Sequence, residues 1–154
     1  MKILMVCLGN ICRSPLAEGI LKHKAIENNL NWEVDSAATL TNMIGLKPDG
    51  NSIMVARNNG IDITNQRARL FTKDDIYKFD VIYAMATDVL DDIRFTCGKD
   101  FNADKIKLFL DEQFPGKEKS VPDPYMMDIS TFEEVYRIID EGCDFIIKKY
   151  KSQN

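Results

Sequence analysis

Apolar residues are arranged in two kinds of pattern along the chain. Short runs rich in apolar residues predict strands at residues 2–8, 32–38, 79–85 and 105–110. Apolar positions spaced three or four apart, with cap residues around them, predict helices at about residues 14–29, 52–59 and 87–98. Strands that alternate with helices indicate a doubly wound α/β domain with a parallel sheet.

The last helix has the most regular pattern. Its apolar side chains mark one face, at Phe132, Val135, Tyr136, Ile139, Cys143, Ile146, Ile147 and Tyr150. Ser130 and Glu133 have the spacing of a capping box, in which each side chain bonds to the other residue's backbone N–H. The sequence therefore predicts a long amphipathic helix that is capped by Ser130.

Length and composition narrow the class of protein. The chain is long enough for one domain over residues 1–154, and 45% of its residues are hydrophobic, as is typical of soluble globular proteins. A net charge of −4 provides no basic field for nucleic acid, and no apolar stretch is long enough to span a bilayer. We expect a cytoplasmic monomer with no nucleic-acid partner and no membrane span.

The cysteines give a further indication of compartment. Cys7, Cys12, Cys97 and Cys143 are too scattered for a disulfide scaffold, and none forms a CxxC pair with metal-ligand spacing. The first apolar run is also too short for a signal peptide. We therefore expect a reducing compartment, in which a catalytic cysteine stays reduced, and no metal or cofactor.

Residues 7–14, which we call the anion loop, carry the candidate chemistry. They join the first strand to the first helix, at the sheet edge where ligands bind in such folds. Arg13 follows Cys7 by six positions, a spacing that suits a loop whose backbone N–H groups turn inward around a tetrahedral anion. The positive field would favour the thiolate of Cys7, the candidate nucleophile, and Arg13 offers a planar fork for two phosphate oxygens.

The remaining residues of the anion loop fit the same interpretation. Ser14 can donate a hydrogen bond to the Cys7 sulfur, and Gly9 and Asn10 are residue types that tolerate positive φ. The expected phosphate-binding residues are Leu8, Gly9, Asn10, Ile11, Cys12, Arg13 and Ser14. The alternative to a phosphate-binding loop is that Cys7 is a buried residue at the strand end and Arg13 a solvated residue at the helix start. This alternative leaves the combination of Cys-x5-Arg-Ser-Pro with Gly9 and Asn10 unexplained. No glycine-rich nucleotide motif is present.

A general acid must protonate the leaving group of a phosphate ester, and Asp123 is the candidate. Prolines on both sides of Asp123 keep residues 120–125 irregular and fix the local backbone. From the residues alone, Asp123 is equally well interpreted as an ordinary turn aspartate without a catalytic role. His23, the one histidine, is expected to be a partly exposed helix residue without a catalytic role.

Three segments together resemble the low-molecular-weight protein tyrosine phosphatases: residues 6–18, 34–38 and 123–125. The resemblance covers essentially the whole chain. It implies a three-layer fold with a four-stranded parallel sheet and hydrolysis through a cysteinyl-phosphate. In that mechanism Cys7 is the nucleophile, Arg13 binds phosphate, and Asp123 is first acid and then base. The implied partners are tyrosine-phosphorylated proteins, with inorganic phosphate or other oxyanions as competitive ligands.

The resemblance also assigns supporting roles. Asn10, Ser14 and Ser36 would hold the anion loop in shape, and Tyr125 would form an aromatic wall beside the substrate ring. Cys12 would form a protective disulfide with Cys7 under oxidation, or else be a packing residue. Ile11 resembles the tyrosine-specific branch, because a threonine stands at this position in a branch that acts on phosphoarginine.

The chain departs from the family pattern at several positions. Asn42 stands near the place of a common aromatic residue, so Leu40 or Met43 would line the cleft instead. Gln66 replaces a histidine that often supports the loop. Arsenate reductases share the fold and the nucleophile, but they need a relay of further thiols. The long separation of Cys97 from Cys143 makes such a relay a weaker interpretation.

Overall fold

A computed structural model of the chain describes residues 1–153. One parallel sheet has the strand order β2-β1-β3-β4, with β1 at Lys2–Cys7, β2 at Glu33–Ala38, β3 at Val81–Ala84 and β4 at Ile106–Leu108. The helices are α1 (Arg13–Glu27), α2 (Gly50–Asn58), α3 (Asp75–Lys78), α4 (Thr87–Cys97) and α5 (Ile129–Lys151). The predicted fold class, a doubly wound α/β fold with a four-stranded parallel sheet, is confirmed.

Strand β1 lies in the middle of the sheet and supplies side chains to two separate cores. Ile3, Met5 and Cys7 pack on the face covered by α1 and α5, whereas Leu4 and Val6 pack on the face covered by α4. This alternation follows from the two-residue period of a strand. Both faces of the sheet are buried, so helices cover it in three layers, and each fully buried side chain contributes about 1.5–3 kcal/mol.

Helix α5 buries the face predicted from its sequence. The buried side chains are Phe132, Val135, Ile139, Cys143, Ile146 and Ile147, with Tyr136 and Tyr150 half-buried. A Cβ atom on Gly142 would lie 2.4 Å from Cε1 of Phe109, so the close approach of α5 to that ring requires glycine. No helix within residues 1–153 is both long enough and apolar enough to cross a membrane.

Several element boundaries differ from the sequence prediction. The predicted cap of α5 is wrong, because Asp128 accepts the hydrogen bond from Thr131 N at 3.2 Å and Ser130 only donates to that carboxylate. Helix α1 begins at Arg13, one residue before the predicted start at Ser14, whose hydroxyl contacts the Cys7 sulfur. Helix α3 was not predicted, because four residues are too few to show a helical period.

Candidate active site

A cleft opens where the chain leaves β1 and β3 toward opposite faces of the sheet, the usual place for a ligand in a doubly wound fold. Its volume is about 190 Å³. The lining residues are Cys7, Leu8, Gly9, Ile11, Cys12, Arg13, Leu40, Asn42, Met43, Asp123 and Tyr125. The structure thus brings the anion loop, the acid candidate and all the predicted wall residues to one place.

The backbone of the anion loop is oriented by its carbonyl groups. The carbonyls of Cys7, Leu8 and Ile11 accept hydrogen bonds from Thr39 N (3.0 Å), Leu40 N (2.9 Å) and Asp49 N (2.7 Å). Within residues 1–153, the N–H groups of residues 8–12 donate to no protein acceptor. A curl with its carbonyls tied to neighbouring loops and its N–H groups unpaired can bind an anion, and the N-terminus of α1 adds positive potential.

Asn10 holds the curl together from behind. Its φ of 58° lies in the left-handed region, which asparagine adopts more easily than most residues. Its Nδ2 donates to Ser14 Oγ at 2.7 Å and to Ser36 Oγ at 2.9 Å, and its Oδ1 accepts from Arg69 N at 3.1 Å. The three residues predicted to support the loop therefore form one hydrogen-bonded cluster, with Arg69 as a fourth member that the sequence did not indicate.

Gly9 has a different role from the one its residue type suggested. The predicted positive φ at Gly9 is wrong, since its backbone does not enter that region. A Cβ atom there would instead lie 3.3 Å from Cγ of Met43, which lines the cleft. Glycine at this position therefore permits close approach of the Met43 wall to the anion loop.

Cys7 and Ser14 are in direct contact at the floor of the cleft. The Cys7 Sγ lies 2.9 Å from Ser14 Oγ, and both side chains are buried. Because Asn10 already donates to Ser14 Oγ, the hydroxyl hydrogen of Ser14 is free to point at the sulfur. The Ser14 hydroxyl can therefore donate a hydrogen bond to the Cys7 sulfur.

Arg13 connects the anion loop to the segment that carries Asp123. Its Nη1 donates to the Val121 carbonyl at 3.1 Å, and its Nη2 lies 3.5 Å from Asp123 Oδ2. The Arg13 Nε is buried and has no hydrogen-bond partner among the described residues. Because an unpaired buried donor is costly, this N–H is suited to an oxyanion in the loop. The Asp123 side chain is 44% exposed, and its Oδ1 accepts from Tyr125 N at 3.1 Å.

Residues 120–125, which we call the acid loop, are fixed to β3 and α4. Val121 N donates to the Met85 carbonyl at 2.8 Å, and Ser120 Oγ accepts from Thr87 N at 3.0 Å. The residue before α4 is Ala86, which has no capping side chain, so Ser120 serves as the cap from a distant segment. The Ser120 contact satisfies a backbone N–H in the first turn of α4 that no neighbouring side chain caps.

The other cysteines lie outside the cleft or are held protonated. Cys97 and Cys143 lie in the two separate cores, and burial raises the pKa of both thiols. They are therefore poorly placed for a thiol relay of the arsenate-reductase kind. Burial and, secondarily, the charge of Asp49 raise the pKa of the Cys12 thiol. Cys12 is consequently a weak nucleophile at neutral pH, and its protective disulfide with Cys7 stays a prediction.

His23 and Gln66 lie outside the cleft. His23 Nε2 pairs with Glu27 Oε1 at 3.1 Å on the outer side of α1, and it does not line the cleft. Gln66 Nε2 donates to the Pro15 carbonyl at 3.1 Å, in the first turn of α1. The Gln66 amide thus supports the start of the helix rather than the curl itself.

The fold and the cleft define a class of small α/β proteins with a Cys-x5-Arg loop after the first strand. The family model for low molecular weight phosphotyrosine protein phosphatase matches residues 2–154. A protein of that name from Sus scrofa is 36% identical over 152 residues, which cover 97% of this chain and 95% of the relative. The chain belongs to the low molecular weight phosphotyrosine protein phosphatase family and is a phosphatase.

Solved structures agree with this assignment. YfkJ from Bacillus subtilis superposes with a TM-score of 0.91 at 33% identity, covering 100% of this chain and 96% of that one. Wzb from Vibrio vulnificus, solved in complex with benzylphosphonate, superposes with a TM-score of 0.84 at 31% identity, covering 96% and 97%. The family resemblance inferred from the sequence is confirmed.

Proposed function

We propose that this enzyme hydrolyses phosphotyrosine in proteins, and small aryl phosphates, through a cysteinyl-phosphate formed on Cys7. The observation that carries the proposal is the placement of two groups on opposite sides of one cleft. Cys7 lies at the floor, 2.9 Å from Ser14, and Asp123 lies at the mouth, 3.5 Å from Arg13. A phosphate bound to Arg13 between them would face a sulfur on one side and a carboxyl group on the other.

In the first step the Cys7 thiolate attacks phosphorus, and the bond between phosphorus and the ester oxygen breaks. The Asp123 carboxyl group gives its proton to the departing oxygen, so that a neutral phenol leaves. The inward N–H groups of the loop and the Arg13 guanidinium bind the three equatorial oxygens as charge spreads over them. Removal of one such donor typically costs about 10²–10³ in rate.

In the second step water attacks phosphorus on the side that the phenol has left. The Asp123 carboxylate takes a proton from this water, the bond between phosphorus and sulfur breaks, and Cys7 leaves as a thiolate. The hydroxyl of Ser14 stabilises the departing thiolate by its hydrogen bond. Inorganic phosphate is released, and it competes for the same loop as a product.

The cleft supports a preference for aryl esters. Ile11, Leu40 and Met43 are apolar, and Tyr125 offers an aromatic face, so a phenyl ring can be buried while its phosphate reaches Arg13. The short side chain of phosphoserine would bring the peptide backbone against these walls. The Vibrio vulnificus neighbour was solved with benzylphosphonate, a ligand that joins a phenyl ring to a phosphonate.

Hydrolysis of an aryl phosphate in the presence of a chelator tests the chemistry. Cys7→Ser should abolish turnover, and Cys97→Ala, which changes a buried cysteine outside the cleft, should retain it. Acid quenching of the parent enzyme during turnover should leave phosphate on Cys7, detectable by mass spectrometry of the peptide. Turnover that survives in Cys7→Ser would overturn the mechanism.

A matched set of phosphopeptides tests the substrate class. We expect phosphotyrosine peptides to be hydrolysed far faster than phosphoserine peptides of the same sequence or free phosphoarginine. A preference for phosphoarginine would contradict the assignment made from Ile11. Capture of tyrosine-phosphorylated proteins by Cys7→Ser would identify the physiological substrates.

A further inference from the structure

A second cavity, of about 570 Å³, shares no lining residue with the active-site cleft. It lies between α1, β2 and residues 60–67, and Glu18 and Asp35 both line it. Glu18 is only 4% exposed, although glutamate is rarely buried without a compensating partner. The proposed mechanism gives this carboxyl group no role.

The contacts of Glu18 are incomplete for a carboxylate. Its Oε1 lies 3.6 Å from Lys22 Nζ, on the exposed side of α1. Its Oε2 is buried and has no hydrogen-bond donor among the described residues. Asp35 lines the same cavity, and both its charge and a side-chain hydrogen bond to it raise the pKa of Glu18. Two carboxyl groups can make this contact favourably only when one of them carries a proton.

Asp35 is connected to the anion loop through Arg69. The Asp35 Oδ2 accepts from Nε of Arg69 at 3.0 Å and lies 3.0 Å from its Nη2. The backbone N–H of the same arginine donates to Asn10 Oδ1, and Ser36, the residue after Asp35, accepts from Asn10 Nδ2. Asp35 is therefore adjacent to both contacts that hold Asn10 from outside the loop, and it shares the Arg69 guanidinium with the buried carboxylate of Asp75, which accepts from Nη1 at 3.1 Å.

We infer that Glu18 is a positioning residue for the anion loop: its protonated carboxyl group donates to Asp35 and keeps the Asp35–Arg69 pair in the place where Arg69 supports Asn10. Loss of that proton would leave two carboxylates side by side, one of them buried. The middle of β2, at Asp35 and Ser36, would then shift, or water would enter from the cavity, and Asn10 would lose part of its support.

Burial and the charges around Glu18 cause its carboxyl group to lose its proton near neutral pH. The pKa of Glu18 is raised from its ordinary 4.5 to about 7: burial is the main cause, Lys22 on α1 opposes the rise, and Asp35 adds to it. The other charged groups at the cavity are His23 on α1 and Asp62 and Arg67 on the segment opposite, with Arg69 bonded to Asp35.

The sign of the stability effect follows from the raised pKa. The neutral form of Glu18 contributes its full stability below pH 4.5, where the group is protonated in both folded and unfolded chains. This contribution is lost as the pH rises to about 7 and the folded protein must also ionise. The anion loop should therefore be best supported on the acidic side of neutrality.

Glu18→Gln tests the inference, because its amide is a permanent donor to Asp35. Glu27→Gln, which removes an exposed carboxylate from the same helix, is the matched control. At about pH 5.5 we expect Glu18→Gln and the parent to have nearly equal kcat/KM. By about pH 8 the kcat/KM of Glu18→Gln should exceed that of the parent about three- to tenfold. The thermal midpoint and its increase by inorganic phosphate should show the same trend, and Glu27→Gln should follow the parent.

A constant ratio between about pH 5.5 and pH 8 would overturn the inference. Infrared spectroscopy provides a readout independent of activity, because a protonated carboxylic acid has a carbonyl band that a carboxylate lacks. The parent minus Glu18→Gln difference spectrum should show this band at about pH 6 and lose it by about pH 8. Absence of the band at the lower pH would show that Glu18 is ionised and would also overturn the inference.

Asp35→Asn is a second variant that tests the same inference if Glu18→Gln folds poorly. This variant removes the neighbouring charge, so the infrared and stability transitions should move to lower pH; an unchanged transition would contradict the contact with Asp35. The kinetic ratio rests on the proposed function, whereas the infrared band, the thermal midpoint and phosphate binding do not. Failure of the proposed chemistry would therefore be distinguished from failure of this inference.

Discussion

The guanidinium of Arg13 lies 3.5 Å from the carboxylate of Asp123 and, through its other terminal nitrogen, 3.1 Å from the Val121 carbonyl. One side chain thus contacts the acid candidate and also holds the backbone two residues before it. In the proposed mechanism the group that binds phosphate also determines where the proton donor stands. Lysine at this position would lose both the planar fork and the second contact.

Asp123→Asn should slow the first chemical step in proportion to the basicity of the leaving group. We expect kcat/KM to fall about 10²–10⁴-fold for phenyl phosphate and much less for 4-nitrophenyl phosphate, whose phenolate leaves without a proton. Steady-state kinetics over a series of substituted phenols measures this dependence. Asp91→Asn, on the exposed side of α4, is the control and should behave as the parent. Equal losses for all leaving groups would remove Asp123 from the acid role.

Ser14→Ala should slow the second step more than the first, because the hydrogen bond at 2.9 Å stabilises Cys7 as it leaves phosphorus. A hydrogen bond to a charged group contributes about 1.5–3 kcal/mol, so kcat should fall about 10- to 100-fold. Stopped-flow measurement should show a burst of phenol, followed by slow turnover, while cysteinyl-phosphate accumulates. Ser152→Ala, an exposed change near the end of the chain, should show no such burst. A full kcat in Ser14→Ala would contradict the role.

Two substitutions at Asn10 separate backbone strain from hydrogen bonding. Asn10→Gly keeps the left-handed conformation but removes three side-chain contacts, and it should lower the free energy of unfolding by about 2–3 kcal/mol. Asn10→Ala should cost about 1 kcal/mol more, because alanine is strained at positive φ. Urea unfolding monitored by circular dichroism measures both values. Equal stabilities of the two variants would rule out a strain term.

Cys12 should protect the nucleophile against irreversible oxidation, but slowly at neutral pH. Burial keeps its thiol protonated, and the thiolate is the form that attacks oxidised Cys7. After brief peroxide exposure a thiol should restore most activity to the parent and little to Cys12→Ser, and the protected fraction should increase with pH. Equal recovery in the two proteins would make Cys12 a packing residue only.

Regular patterns in the sequence predicted most of the fold. The apolar face of α5 and the apolar run of β1 each bury the side chains that their periods indicate, because burial at one face is a local property of helix and strand geometry. The cap of α5 was misplaced because Asp128 and Ser130 are both good cap residues. Only the actual hydrogen bond to Thr131 distinguishes them.

The anion loop was recognisable because its chemistry is contained in eight consecutive residues. Its supports were only partly predictable. Arg69 joins Asn10 to Asp35 and Asp75, and Ser120 caps α4, yet neither residue belongs to a periodic pattern or a local motif. Such contacts between distant segments depend on the packed fold, so a single sequence does not reveal them.

The acid loop is fixed by two backbone hydrogen bonds of Val121. Val121 is bonded through its N–H to Met85 and through its carbonyl to Arg13, and Asp123 follows two residues later. Because Asp123 lies two residues from this fixed backbone, its carboxyl group has few accessible positions. Little conformational entropy is therefore lost when it contacts the leaving group. In the proposed mechanism the proton donor therefore needs no closing lid, and turnover should depend only weakly on solvent viscosity.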